Sequence, residues 1–422
     1  EWNMKTFRNE KSVSYENRYT ELVYEYEEAK DNYLGQSSES KEAKEVTYVA
    51  FKQHFFTSIL LTDTPFKTAA LKSENLVHDV EKDTVFTKAY KATLPLAFKG
   101  GEVNYNMNWY YGPADYKILD KYERNLDEVI PLGWGIFGWI NRWIFIPVYG
   151  FLSQFMAHGI AIIIFTILVR LAMSPVTYKS YLSQAKMKVL RPEINELNEK
   201  FKKDPMKKQQ ETMKLYSKAG VNPMAGCLPA VMQIPVFYAL FQFFPSAIEL
   251  RQKNFLWAED LSSFDAVLSW KQHIPVISSF YGNHVSLFPI LAAIAIFFYM
   301  KMTTGDQQMS APQQEGMPDM SKIMKMMIYI SPLMMMIFFN NNASGLSLYY
   351  FISNTITIGI MLVIKNYIVN DEKIHAKIQE NKTKDKPKSK FQQKMAEMME
   401  QAQEQQKEKK AALEEKKSSR KR

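Results

Sequence analysis

The stretch HGIAIIIFTILVRLAM, residues 158–173, decides what kind of protein this is. It is almost wholly apolar, carries one formal charge at Arg170, and has no amphipathic alternation that a half-exposed helix or strand would need. Such a run reads as a membrane span. Four more apolar stretches follow, at 224–244, 285–300, 326–339 and 346–364. Several lie near the short end of the ~17–25 residues that cross a hydrocarbon core, which implies local bilayer thinning or polar flanks drawn inward. A mean hydropathy of -0.27 hides this, because polar ends flank the apolar middle.

Charge outside the spans sets an orientation. The net charge is +9, and the segment 175–222 carries 11 Lys/Arg against 5 Asp/Glu. From Lys365 onward the count is 17 against 10, whereas 246–284 has three against four. The positive-inside bias places 175–222, 302–322 and the tail in the cytoplasm, and 246–284 outside. Alternation puts everything before the first span outside too. An outside domain needs a preceding anchor, so a first helix is expected upstream of Glu1.

Residues 1–130 read as that outside domain. Runs such as VTYVAF (46–51) and TLPLAF (93–98) lie between Gly, Lys, Asn and Asp turns, with little helical periodicity before Asp115. A β-sandwich-like domain, incomplete at its start, is expected. Residues 131–155 differ: Trp134, Trp139 and Trp143 interleave with Ile136, Phe137, Ile140 and Ile144. Tryptophan favours the headgroup boundary, so an interfacial amphipathic helix is expected, ending near Pro147. In the basic loop, Leu190, Ile194, Leu197 and Phe201 form one helical face, and Met206, Met213 and Tyr216 a weaker one. The spacing predicts a cytoplasmic helical hairpin over 176–221, kinked at Pro192 and turning at Asp204-Pro205. Five spans then form a core over 156–365, and 366–422 is a basic tail.

Chemistry of bond making finds no support. There is no Walker loop, GxGxxG, HExxH or GxSxG, and the six histidines are scattered singly. Cys227 is the one cysteine, which excludes an intramolecular disulfide, and no cofactor is implied. What stands out is Arg170. An arginine at a helix centre costs ~2.5–3.5 kcal/mol on insertion scales, and no Asp or Glu lies in any span to pair with it. It either sits in a hydrated groove or snorkels to the cytoplasmic border. Thr166, one turn away, and Gln233, Tyr350, Ser353 and Asn354 are candidates to line such a groove. A solute transporter using the same cavity, or a passive translocon partner, are the competing readings, but no internal repeat supports the first.

These residues resemble a known family. Thr166 to Arg170 with MSPVT (173–177), then NPMAGCLP (222–229) with QIPVF (233–237), are similar to the first two core spans of the YidC/Oxa/Alb membrane insertases. ELR (249–251) and FLWAEDLS (255–262) resemble the outward loop, and SGLSLYYFISN (344–354) the last span. YGPADY (111–116) looks like the end of the periplasmic domain in Gram-negative members, with Ala114 where Lys is usual. Asn340-Asn341-Asn342 is more polar than the turn expected between the last two spans. The resemblance implies an inner-membrane insertase with a periplasmic β domain and a five-helix core. Its groove would be lined by Arg170, Thr166, Tyr350 and Gln233. Implied partners are nascent membrane proteins, lipids, the Sec translocon, and the ribosome through the basic tail.

Overall fold

Two strands organise the N-terminal domain. β4 (Glu39–Gln53) and β5 (Phe56–Asn75) pair antiparallel along most of their length, joined by a tight turn in which His54 takes a φ of 45°. A bulge near Val46 bends the pair. The first half of β5 accepts β7 (Met107–Pro113), and the second half accepts β6 (Phe86–Thr93), which carries β1 (Trp2–Phe7). On the other side β4 carries β2 (Thr20–Tyr26), and β2 carries β3 (Lys30–Leu34). The seven-stranded sheet therefore folds over itself. Trp2 of β1 stacks on Phe51 of β4 with ring centroids 3.7 Å apart, and Tyr90 of β6 reaches the same ring at 5.0 Å. This is the expected sandwich-like arrangement.

These contacts come from a computed structural model, which describes residues 1–27, 29–79, 82–83, 85–97, 100–202, 204–226, 228–272, 274–275, 277–307, 320–368 and 370–383. Two compact units divide it, one of residues 1–174, 230–302 and 326–360, the other of 175–229, 303–325 and 361–422.

Within the first unit the outer face of the sheet (Val23, Ala50, Ile59) packs against Leu119, Leu126 and Ile130 of the segment that follows β7. A short helix that the strand-rich reading did not anticipate, α1 (Val13–Tyr19), precedes β2. Ser12 caps it, and the buried Glu16 carboxylate accepts from the Asn9 and Glu10 amides, which favours helix over a further strand.

The tryptophan-rich segment is helical, but it does not stop at Pro147. A helix at Ile136–Ile140 passes through a π turn at Asn141–Phe145 into α2 (Ile146–Phe155). The π turn bonds the Ile146 amide to the Asn141 carbonyl, and this wider register lets the proline sit within the first two residues of α2. Asn141 is buried and donates to the Leu132 and Ala239 carbonyls, while Trp134, Trp139 and Trp143 are exposed.

All five apolar stretches are helices: α3 (His158–Val189), then, beyond the basic loop, Leu228–Ser246, Leu287–Gln307, Met320–Asn340 and Ser344–Val363. Among the described residues, His158–Val189, Leu228–Ser246 and Ser344–Tyr367 are long and apolar enough to cross a membrane, and Leu287–Thr303 and Lys325–Asn340 are shorter apolar helices. Their shared core is aromatic, with Phe165, Phe243, Phe244 and Tyr349 buried together. Leu168, Leu171, Val231, Ile234, Phe298 and Leu333 point outward, the reverse of a water-soluble bundle.

In the second unit α4 (Arg191–Lys200) and α5 (Pro205–Ala219) form the hairpin. Pro192 does not kink a helix there. The chain breaks at Leu190, and the proline occupies the first turn of α4, where its missing N–H costs nothing. Asp204 caps α5 by accepting from the Lys207 amide at 3.0 Å, and Gly220 closes it in the left-handed region. With Leu228–Ser246 as α6, Leu287–Gln307 as α7, Met320–Asn340 as α8 and Ser344–Val363 as α9, a further helix α10 (Asp371–Thr383) follows. Its Ile374 and Ile378 are buried with Leu190, Ile194, Tyr216 and Ala219, and Lys382 pairs with Glu193. The tail beyond Thr383 lies outside the described residues.

Candidate functional site

Arg170 is half-buried among three spans. From α3 its Nε donates to Ser353 Oγ on α9, and its Nη1 donates to Gln233 Oε1 on α6 at 3.1 Å. Among the described residues it makes no salt bridge, and both of these partners are neutral. Ser353 is buried and carries the Thr357 hydroxyl on its carbonyl. Gln233 spends its oxygen on Arg170, and its amide nitrogen is buried without a hydrogen-bond partner among the described residues.

The other expected lining residues lie deeper. Thr166 is fully buried, and its hydroxyl donates to the Ile162 carbonyl at 2.6 Å. Tyr350 is buried against Phe237 and Phe339, with its hydroxyl unpartnered among the described residues. Asn354 donates to the Tyr350 carbonyl, an intrahelical bond. Arg170, Gln233 and Ser353 thus come together, while Thr166 and Asn354 use their polar atoms on their own helices. One neighbour escaped the sequence reading. The Tyr349 hydroxyl is also buried without a hydrogen bond among the described residues, and its signal was a position one turn before Ser353. An unsatisfied buried polar atom costs roughly 1–3 kcal/mol, so several such atoms beside a charge, Gln233 Nε2 with the Tyr349 and Tyr350 hydroxyls, mark a place suited to water or a polar ligand.

The opposite end of the same bundle is polar in a different way. Asn340 ends α8 with every side-chain atom used: Oδ1 accepts from the Ser286 amide, and Nδ2 donates to the Tyr281 and His284 carbonyls. Its own carbonyl accepts from Ser286 Oγ and His284 Nε2. Asn341 and Asn342 also donate to carbonyls, so the polar turn that departs from the family pattern is a helix terminus stitched to a loop. Asp265 caps α7 by accepting from the Leu287 and Phe288 amides, and the Ser344 hydroxyl donates to the Asp260 carbonyl.

This end also docks the sheet domain. His54, at the β4–β5 turn, donates from Nε2 to the Pro245 carbonyl of α6 at 2.9 Å, and burial holds its imidazole down to about 3. Arg251 pairs with Glu10 at 2.8 Å, Lys117 with Glu249 at 2.9 Å, and Lys11 with Glu259 at 2.7 Å. Burial raises the Glu10 carboxyl, and Arg251 partly offsets that.

Comparison with known proteins follows the same division. The profile described as "60Kd inner membrane protein" matches residues 150–373, more than half of the chain, and that described as "YidC periplasmic domain" matches residues 2–147. Two curated relatives, each named "Membrane protein insertase YidC", are 40% identical. The one from Parabacteroides distasonis aligns over 403 residues, and the one from Porphyromonas gingivalis over 407. They cover 92% and 93% of this chain, which spans 62% and 63% of their lengths. A solved structure titled "Active YidC insertase crystal structure with the first transmembrane domain resolved" aligns at 19% identity and a TM-score of 0.39, covering 82% of this chain and 83% of that one. At that score it adds nothing to the family assignment.

Proposed function

The chain belongs to the YidC/60 kDa inner membrane protein family, and on that premise we propose that it moves hydrophobic proteins into the bacterial inner membrane without bond chemistry. The observation that carries the reading is Arg170: a charge inside an apolar span, held by neutral partners and next to unsatisfied polar atoms. Such a site lowers the barrier to a polar or acidic segment on its way across. Among the described residues no carboxylate pairs with the guanidinium, which leaves it as an electrostatic partner for a passing chain. Gln233 and Tyr350 supply further hydrogen-bonding capacity, with Thr166 beneath them.

The groove around Arg170 opens to cytoplasm and lipid in this reading. A nascent chain enters past the hairpin, places its polar tail near Arg170, and releases its apolar segment sideways into lipid. Burial of that segment drives the step, and the membrane potential adds ~2.3 kcal/mol per charge per 100 mV. The sheet domain and the α6–α7 loop face the periplasm. Their three ion pairs and the His54 bond support a common side. The hairpin and basic tail face the cytoplasm, where the tail's positive charge suits a ribosome. The protein works alone or beside the Sec translocon.

The test is reconstitution into lipid vesicles with a ribosome-bound single-span substrate bearing an acidic translocated tail. Photo-crosslinkers at Gln233 and Tyr350 are expected to capture the stalled chain, and one at the outward-facing Phe298 is not. Capture at neither site, with insertion no better than in protein-free vesicles, would overturn the proposal.

A further inference from the structure

The loop between α6 and α7 changes chemistry halfway. Its first part carries Glu249, Arg251, Lys253, Glu259 and Asp260, and three of these reach the sheet domain as ion pairs. From Phe264 to Ser286 the carboxylate and ammonium charges fall to Asp265 and Lys271. Asp265 is buried under α7 as its cap, which leaves Lys271 exposed. What the second part presents is apolar.

Its geometry is unusual for a segment in water. β8 (Ala266–Ser269) pairs with β9 (His284–Ser286) as a two-stranded ribbon. The register slips between Ala266 and Leu268, which leaves Val267 as the extra, unpaired residue of a bulge beside Leu268. Both are exposed, at 51% and 62%. A ribbon in water ordinarily hides its apolar face and wets the other. Beyond it, Ile277 and Phe280 lie one turn apart in the short helix Ile277–Phe280, and Phe280 is 72% exposed. The ribbon is continuous with a span, because Ser286 directly precedes Leu287, the first residue of α7. Asp265, just before β8, bonds the first amides of that helix, so β8 starts level with its end.

We infer that the segment Ala266–Phe280 is a lipid-binding element, immersed in the headgroup boundary of the leaflet on the sheet-domain side. Clustered exposed apolar side chains mark an interaction site, and their place beside the first turn of α7 favours lipid over protein as the occupant. Lys271 can extend its ammonium toward headgroups while its stem stays apolar. The first part of the loop, tied to Lys11, Glu10 and Lys117, then couples this anchor to the sheet domain. The inference rests on the reading of α7 as a span.

The experiment uses the full chain in Cys227→Ser background, reconstituted in phosphatidylcholine vesicles. An environment-sensitive dye is attached at Val267→Cys or Phe280→Cys, and quenched by lipids carrying a nitroxide either near the headgroup or deep in the acyl chain. Tyr33→Cys on the exposed edge strand β3 and Ile294→Cys on the outward side of α7 are the references. The expected result is at least twofold stronger shallow quenching at 267 and 280 than at 33, with deep quenching strongest at 294. If 294 is quenched while 267 and 280 behave as 33, the anchor is refuted and the span stands. Absent quenching at 294 removes the span reading and the anchor with it.

Discussion

The bundle has two polar clusters, and they differ in what is left over. At the sheet-domain end Asn340 uses its side-chain oxygen, its nitrogen and its backbone carbonyl, and loop amides and carbonyls are consumed in return. Around Arg170 the accounting does not close: Gln233 Nε2 and the hydroxyls of Tyr349 and Tyr350 lack partners among the described residues. Both clusters carry the desolvation cost of polar atoms in an apolar bundle. The Asn340 side chain recovers it internally, while the neighbouring Asp265 keeps one carboxylate oxygen unpartnered among the described residues. A satisfied cluster specifies a structure, here a closed bundle end under a docked domain. An unsatisfied one with a net charge is suited to a ligand that completes it. Stability and function should therefore separate between the two places.

The largest effect is expected at the closed end. Asn340→Leu strands the Ser286 amide and removes the side-chain donor to the His284 carbonyl, at roughly 1–3 kcal/mol for each group left dry, while the Tyr281 carbonyl keeps its bond from Asn341. Thermal unfolding in detergent should show a large loss of stability. A variant as stable as the parent would break the contrast between the clusters.

Acid should act on the same end through His54. Its folded pKa, about 3, lies below the ordinary value of 6.5, so the folded state prefers the neutral ring. Stability is full above pH 6.5 and falls as pH drops toward 3, by up to about 1.4 kcal/mol per unit. His54→Gln should flatten that dependence, measured as protease resistance of the docked domain from pH 7 to 4. An unchanged slope in the variant would assign the acid response to other groups.

Arg170→Leu should behave oppositely to Asn340→Leu. Replacing a poorly paired buried charge with an apolar side chain is often neutral or stabilising, so the melting temperature should hold or rise. Insertion of acidic-tailed substrates should fall about tenfold, or ~1.4 kcal/mol, while Arg170→Lys keeps most of it. Destabilisation comparable to that of Asn340→Leu would make the Arg170 cluster structural.

The smallest effect concerns the second unit, where Lys382 of α10 pairs with Glu193 of α4 at a partly exposed position. Lys382→Ala should cost under about 1 kcal/mol, because solvent screens such a pair. Ile378 sets the scale beside it: its burial with Leu190 and Tyr216 predicts about 2–5 kcal/mol for Ile378→Ala. Hydrogen exchange in α5 should rise clearly for the second variant and barely for the first.

Periodicity and charge in the chain itself determined the gross plan. A run such as 158–173 has one low-energy state in lipid, a helix, because each backbone polar group must bond within its own segment. The alternating N-terminal runs, the hairpin stripe of Leu190 and Ile194, and the lone charge of Arg170 are local signals of the same kind. Local signals misled where a wider register or a cap intervened. Pro147 was accommodated by a π turn, Pro192 by a helix start, and α1 by the Ser12 and Glu16 caps. Tertiary structure alone decided which polar residues meet. Gln233 and Ser353 lie 63 and 183 residues from Arg170, and nothing along the chain distinguishes them from Thr166 or Asn354, whose polar atoms stay on their own helices. The same holds for Asn340-Asn341-Asn342, which reads as an interruption in sequence and becomes a terminus once Ser286 and Tyr281 stand opposite. Hydrophobicity is a property of a segment, but the satisfaction of a hydrogen bond belongs to a pair, and pairs distant in sequence exist only in the fold.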